Sequence, residues 1–239
     1  MGDETAQYEH IDDLEENPIL SAFHRVLHIR DGVGEGTGFL IDVSGRQYLV
    51  TAHHVVSKAV GSSRIEILRN GDWVGNDCKT VGIDAEHDIA VLALTERVVG
   101  AKPDVPLGSE GGAVGQPVFF FGYPVGLNGP YFQLGFPVPL VARGFISTLL
   151  TDKTQPEGFL ISGIAAPGFS GGPVYFFNEK TRSYTILGIV IHSLFYDSPV
   201  RNVVGVEIGT VQTDANIFQC SWIESAIRLI EKNPIGFQI

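Results

Sequence analysis

Gly168-Phe169-Ser170-Gly171-Gly172-Pro173 sets a serine in a glycine-rich turn between two strand-like runs, Phe159-Leu160-Ile161 and Val174-Tyr175-Phe176-Phe177. Glycines on both sides of a serine let the backbone bend tightly and turn successive amides inward without a Cβ clash. A serine nucleophile needs that setting, an exposed hydroxyl with backbone donors aimed at a developing oxyanion. The same residue types also make ordinary turns, so the meaning of the motif depends on what the rest of the chain supplies. Outward from it, short apolar runs alternate with turn signals: 26–29, 36–41, 47–50, 64–68, 89–94, 118–121 and 141–149 before it, 184–192 and 203–208 after it. With 29 Gly and 13 Pro in the chain, this pattern predicts a β-barrel or sandwich. Two helices are also predicted. One covers residues 12–23 and is interrupted by Pro18. The other covers 213–232, where Ile217, Trp222, Ile223, Ile227 and Ile230 recur at helical spacing.

Bulk properties exclude more than they identify. The 239 residues are 44% hydrophobic and 18% charged, which calls for a substantial core and argues against global disorder. A net charge of -11 without any Lys/Arg cluster speaks against a nucleic-acid partner. Cys78 and Cys220 lie far apart and outside any C-x-x-C pattern; free thiols in a reducing compartment are expected, with a disulfide left open. No Cys/His spacing suits zinc, so no metal and no cofactor are expected. Seven acids precede the first Lys or Arg, Arg25, the reverse of a secretory signal. The apolar run nearest in length to a membrane span, 118–127, is broken by Gly122, Pro124 and Gly126. These features together predict a cytoplasmic chain with no membrane partner.

Two further segments carry groups that could serve Ser170. Tyr48-Leu49-Val50-Thr51-Ala52-His53-His54 places two histidines at the end of a strand, and Asp88 stands directly before the apolar strand at 89–94. A strand-end histidine or a turn aspartate is common by itself. The chain order His, Asp, Ser is what makes the set specific.

Those three stretches, Thr-Ala-x-His, Asp-Ile-Ala-Val-Leu and Gly-x-Ser-Gly-Gly-Pro, resemble trypsin-fold (chymotrypsin-like) serine proteases. Within them the chain is most similar to HtrA-like bacterial trypsin-type peptidases without a PDZ domain. Gly36-Thr37-Gly38-Phe39 resembles that family's Gly-x-Gly-Phe strand, and Arg143-Gly144-Phe145-Ile146-Ser147 its Gly-x-Ile/Val-Ser strand. The resemblance implies an all-β fold of two six-stranded antiparallel β-barrels with a C-terminal α-helix. The expected layout is an acidic segment at 1–24, a first barrel at 25–105 carrying His and Asp, a second at 106–212 carrying Ser, and a helix and tail at 213–239.

It also implies a serine endopeptidase. Ser170 attacks the scissile carbonyl, His54 is the base, and Asp88 orients the imidazole. His54 is chosen over His53 because the motif puts the base fourth. The amides of Gly168 and Ser170 form the oxyanion hole. Ile164, six residues before the serine, is expected near the base of the primary pocket, and Ile191, His192 and Ser193 along its wall, pairing with substrate backbone. An apolar base argues for aliphatic rather than basic side chains at the cleaved position. Phe169 stands where zymogen-activated relatives carry Asp, so activation by N-terminal processing is not expected. The implied partner is a protein or peptide substrate, with a regulatory protein or a homo-oligomer left open. The alternative is a catalytically silent trypsin-fold module that binds peptides.

Overall fold

The computed structural model describes residues 22–32, 34–57, 64–98, 105–126, 132–133, 136–151, 157–164 and 166–239. β1 (Val26–Arg30), β2 (Glu35–Val43), β3 (Arg46–Ala52), β4 (Arg64–Arg69), β5 (Asp72–Asp84) and β6 (Ile89–Leu94) are antiparallel neighbours. β1 pairs with both β2 and β4, β5 links β4 to β6, and β6 returns to β3, so the ring closes. After the two-residue strands β8 (Phe132–Gln133) and β9 (Phe136–Pro137), the second half forms another closed barrel. It comprises β7 (Pro117–Gly122), β10 (Leu140–Leu150), β11 (Gly158–Gly163), β12 (Pro173–Asn178), β13 (Ser183–Arg201) and β14 (Glu207–Trp222), arranged β10-β11-β14-β13-β12-β7. The predicted all-β architecture is the observed one.

Strand alternation builds both the interior of the second barrel and the seam between the two. On β7, Val118 and Phe120 point into the second core, whereas Phe121 joins the first. On β12, Val174 and Phe176 face inward and Tyr175 faces the seam; on β13, Val190 faces inward and Ile189 and Ile191 face the seam. Cys78 sits in the first core and Cys220 in the second, both unpaired. Burial pushes the Cys78 thiol up to about 11.

Four expectations need correction. The helix does not begin at 213: β14 runs to Trp222, and α1 covers only Ile223–Lys232. β14 is held on both edges, Ile217 to Ser221 by β11 and Phe218 to Trp222 by β13, and ladder bonds with burial of Phe218 and Cys220 override the helical spacing. The second barrel therefore extends past residue 212. β5 carries no strand signal in the sequence, because along its 13 residues only Cys78 and Val81 are buried and no apolar alternation shows. Residues 203–206 are a hairpin tip rather than a strand; the Asn202 side chain accepts the amides of Val204 and Val206, and Gly205 adopts φ +85°. The tail returns to the first barrel, where β15 (Phe237–Gln238) pairs with the start of β3. The N-terminal helix expected at 12–23 lies outside the described residues except for its end, where Phe23 packs edge-on against Phe121. Among the described residues no helix is long and apolar enough to cross a membrane.

Candidate active site

β3 ends at Ala52 and passes into a single 3₁₀ turn, His53–Val56, which turns the His54 ring outward while Val55 and Val56 are buried. Asp88 precedes β6 with φ +53°, a left-handed conformation that Asp tolerates better than most side chains. From there it grips the turn three times. Its carbonyl accepts the His53 amide at 2.9 Å, and its Oδ1 accepts the His54 amide at 3.0 Å. Its Oδ2 accepts the proton on His54 Nδ1 at 2.6 Å. A carboxylate can only accept, so the neutral imidazole tautomer that this contact selects carries its proton on Nδ1 and its lone pair on Nε2. His54 is 48% exposed, open to a substrate.

Ser170 lies on the turn before β12, pressed against the same corner of the first barrel. The Ser170 carbonyl accepts the Thr37 amide at 2.9 Å, and the Gly171 amide donates to the Val190 carbonyl at 2.7 Å. Gly36 stands between the two halves: its missing Cβ would lie 3.0 Å from the Ser170 carbonyl and 2.9 Å from Val55 Cγ2. Gly171 has φ +84°, and any Cβ there would overlap the Thr37 carbonyl and the Thr51 hydroxyl. Only glycine allows the serine turn to approach the histidine turn so closely. The Gly168 and Ser170 amides donate to no backbone carbonyl among the described residues. No hydrogen bond joins Ser170 Oγ to His54 Nε2 among those residues either.

The pocket residues divide. His192 is exposed and interacts electrostatically with Asp88 and His54; burial lowers its pKa, Asp88 opposes that, and His54 adds to it. Ser193 is half-buried beside it. Ile164, however, is 83% exposed, so its side chain does not floor an enclosed pocket. Ile191 is buried in the seam core, so only its backbone can face a substrate. Phe169 is buried in the second core, edge-on to Phe120 at 5.6 Å and seated where Gly122 leaves room for it.

Residues 36–181 match the trypsin-like peptidase domain. The chain belongs to the trypsin-like peptidase family. The Arabidopsis thaliana protein Protease Do-like 1, chloroplastic, is 32% identical over 157 residues, 65% of this chain and 32% of that protein, so the chain spans about a third of that curated relative. Two solved structures have the same fold. One is the inactive form of the Rv3671c protease of Mycobacterium tuberculosis, with a TM-score of 0.58 and 20% identity over 92% of this chain and 94% of that one. The other is the HtrA-type protease AlgW, in a serine-to-alanine form with a tripeptide, with a TM-score of 0.58 and 20% identity over 91% of this chain and 62% of that one.

In this trypsin-like peptidase, the supporting network is what sequence reasoning missed. The Thr37 hydroxyl donates to the Gly168 carbonyl at 2.7 Å and accepts the Tyr123 amide at 3.1 Å, while the Thr51 hydroxyl donates to the Thr37 carbonyl at 2.7 Å. The available signal was a lone hydroxyl flanked by two glycines in Gly36-Thr37-Gly38, where close backbone approach leaves one polar side chain to be satisfied.

Proposed function

We propose that this peptidase is a serine endopeptidase that works through Ser170, His54 and Asp88. Ser170 Oγ bonds to the scissile carbonyl carbon as His54 Nε2 takes its proton. That proton passes to the leaving amine as the C–N bond breaks, leaving an acyl-enzyme. Water, deprotonated by His54, then displaces Oγ, and the proton returns to Ser170. Gly168 and Ser170 amides hold the oxyanion, where losing one donor typically costs about 3 kcal/mol of transition-state stabilisation.

The observation that carries this reading is the Asp88–His54 pair at 2.6 Å, which fixes the tautomer a general base requires, beside a serine turn with uncommitted amides. Serine–histidine contacts commonly tighten only when substrate binds. Burial of Phe169 supports activity without a newly cut N-terminus, since a core phenyl ring offers no partner to an ammonium group. We also place the chain in the cytoplasm, on the support of two buried, unpaired thiols.

Intact-mass measurement after exposure to a fluorophosphonate tests the reading. Wild type is expected to gain one adduct, and Ser170→Ala and His54→Ala to gain it at least about 1000-fold more slowly or not at all. Folded wild type that stays unlabelled would favour the catalytically silent peptide-binding module.

A further inference from the structure

Past Ser193 the two longest strands leave the barrel together. β13 and β14 stay paired from Phe195↔Asp214 to Arg201↔Glu207, and neither has another strand neighbour there among the described residues. The departure is marked by a register shift between Ser193 and Phe195, opposite Asn216 at φ +54°. Irregularities of this kind bend a strand and re-aim the residues beyond the bend, and they recur beside active sites. Six residue steps then carry the arm about 20 Å from its root.

The arm exposes large apolar side chains among its polar ones, more than a solvated hairpin normally does. Phe195, Tyr196, Val200 and Val211 are exposed along it, and Val203 and Val204 cap it, Val203 completely exposed. The pairs Tyr196↔Thr213 and Ser198↔Val211 place Tyr196, Val200 and Val211 on one face. The root is His192, which interacts with both His54 and Asp88, so the free edge of β13 leads directly away from the candidate catalytic pair.

We propose that this arm is a docking strand for a segment of polypeptide substrate flanking the cleaved bond, and that it selects extended segments rich in aliphatic or aromatic side chains and free of acidic runs. The proposal rests on the protease reading above. The outward N–H and C=O groups of residues 193–198 have no partner among the described residues. A lipid bilayer cannot satisfy an open strand edge; another extended chain can. Pro199 has no N–H and stops a ladder growing toward the tip, so pairing is confined to the end nearest the catalytic pair. That disfavours arm-to-arm association, as does charge. Asp197, Glu207 and Asp214 outnumber Arg201, and two arms side by side would oppose like charges.

Peptide binding to the full chain carrying Ser170→Ala tests this without any need for turnover. Three fluorescent peptides are compared by anisotropy: an eight-residue core around a Val-Ala bond, and the same core extended by six alternating Val and Thr residues at its N-terminal or its C-terminal end. One of the two extensions is expected to tighten binding about tenfold or more. That gain is expected to vanish when the extension is N-methylated at alternate residues, or when the arm carries Tyr196→Asp with Val200→Asp. Equal affinity for all three peptides, or a gain that survives both changes, overturns the proposal. So does a double variant that turns an oligomer into a monomer in sedimentation while the peptide gain persists, because the arm is then a subunit contact. Fluorophosphonate labelling of wild type judges the protease reading separately.

Discussion

Every polar atom of Thr37 is engaged, and each bond reaches a different part of the site. Its amide holds the Ser170 carbonyl, its hydroxyl bridges the Gly168 carbonyl and the Tyr123 amide, and its carbonyl takes the Thr51 hydroxyl, all with Thr37 fully buried. Thr37→Val keeps the shape but leaves a carbonyl and an amide buried and unpaired. At about 1–3 kcal/mol for each such group, urea unfolding is expected to show a loss of roughly 2–6 kcal/mol. Thr37→Ser keeps the hydroxyl and should lose only about 1 kcal/mol, the worth of one buried methyl. Equal stabilities for Thr37→Val and wild type would refute the bridging role. The candidate set of Ser170, His54 and Asp88 is legible in the sequence because the proposed chemistry needs particular side chains in a particular chain order, and the structure brings His54 and Asp88 together. Thr37 is not legible there, because its importance lies in distances to residues 86 and 131 positions away, which no local pattern records. Ile164 failed for the converse reason: its position in the sequence was informative, but the direction of its side chain is set by tertiary packing.

Among the elements, α1 shows where local pattern and tertiary context part company. Ile223, Ala226 and Ile230 form its buried stripe, and Leu229 rests on Gly82 of β5, 3.0 Å from where a Cβ would sit. The real periodicity begins only at Ile223; the extra turns expected upstream came from Ile217 and Trp222, which happen to fall at helical spacing while lying on a strand. The helix start is tied to the segment joining the barrels, because Glu224 Oε1 accepts both the amide and the hydroxyl of Ser109 at 2.7 Å. Glu224→Ala removes the acceptor for both donors and should cost about 1–3 kcal/mol in urea unfolding. Glu224→Gln retains an acceptor oxygen for both donors and removes a carboxylate charge whose Oε2 is buried without a partner, so it should recover most of that loss. A Gln variant as unstable as the Ala variant would mean that charge, rather than the bond, secures the helix.

At the scale of the whole molecule, the two barrels meet across a buried histidine. His28 of β1 stacks on Tyr123 at 4.8 Å, lies edge-on to Trp73 at 4.9 Å, and hydrogen-bonds to Glu35 Oε1 at 2.9 Å. The Tyr123 hydroxyl in turn shares its proton between carbonyls on either side of the seam, those of Val26 and Pro137. Burial lowers the His28 pKa below its ordinary value of 6.5; Glu35 opposes this by charge and hydrogen bond, and Arg30 reinforces it. Arg30 is itself paired with Glu66 and lies over Trp73. Because the unfolded chain protonates this ring at a higher pH than the folded one, stability is complete above about pH 6.5 and falls as pH drops from there toward the folded value. His192, also lowered mainly by burial, adds a change of the same sign. His28→Phe preserves the stack and removes one titration, while Glu35 stays solvated at 34% exposure. Urea unfolding between pH 7 and pH 5 should therefore show a shallower loss for His28→Phe, by at most about 1.4 kcal/mol per pH unit, the slope of a single proton. Parallel profiles would mean that His28 takes up its proton without disturbing the seam. A steeper profile for the variant would mean that Glu35 can hold the charged ring in place, and that the barrels are joined more firmly in acid than burial of a neutral histidine allows.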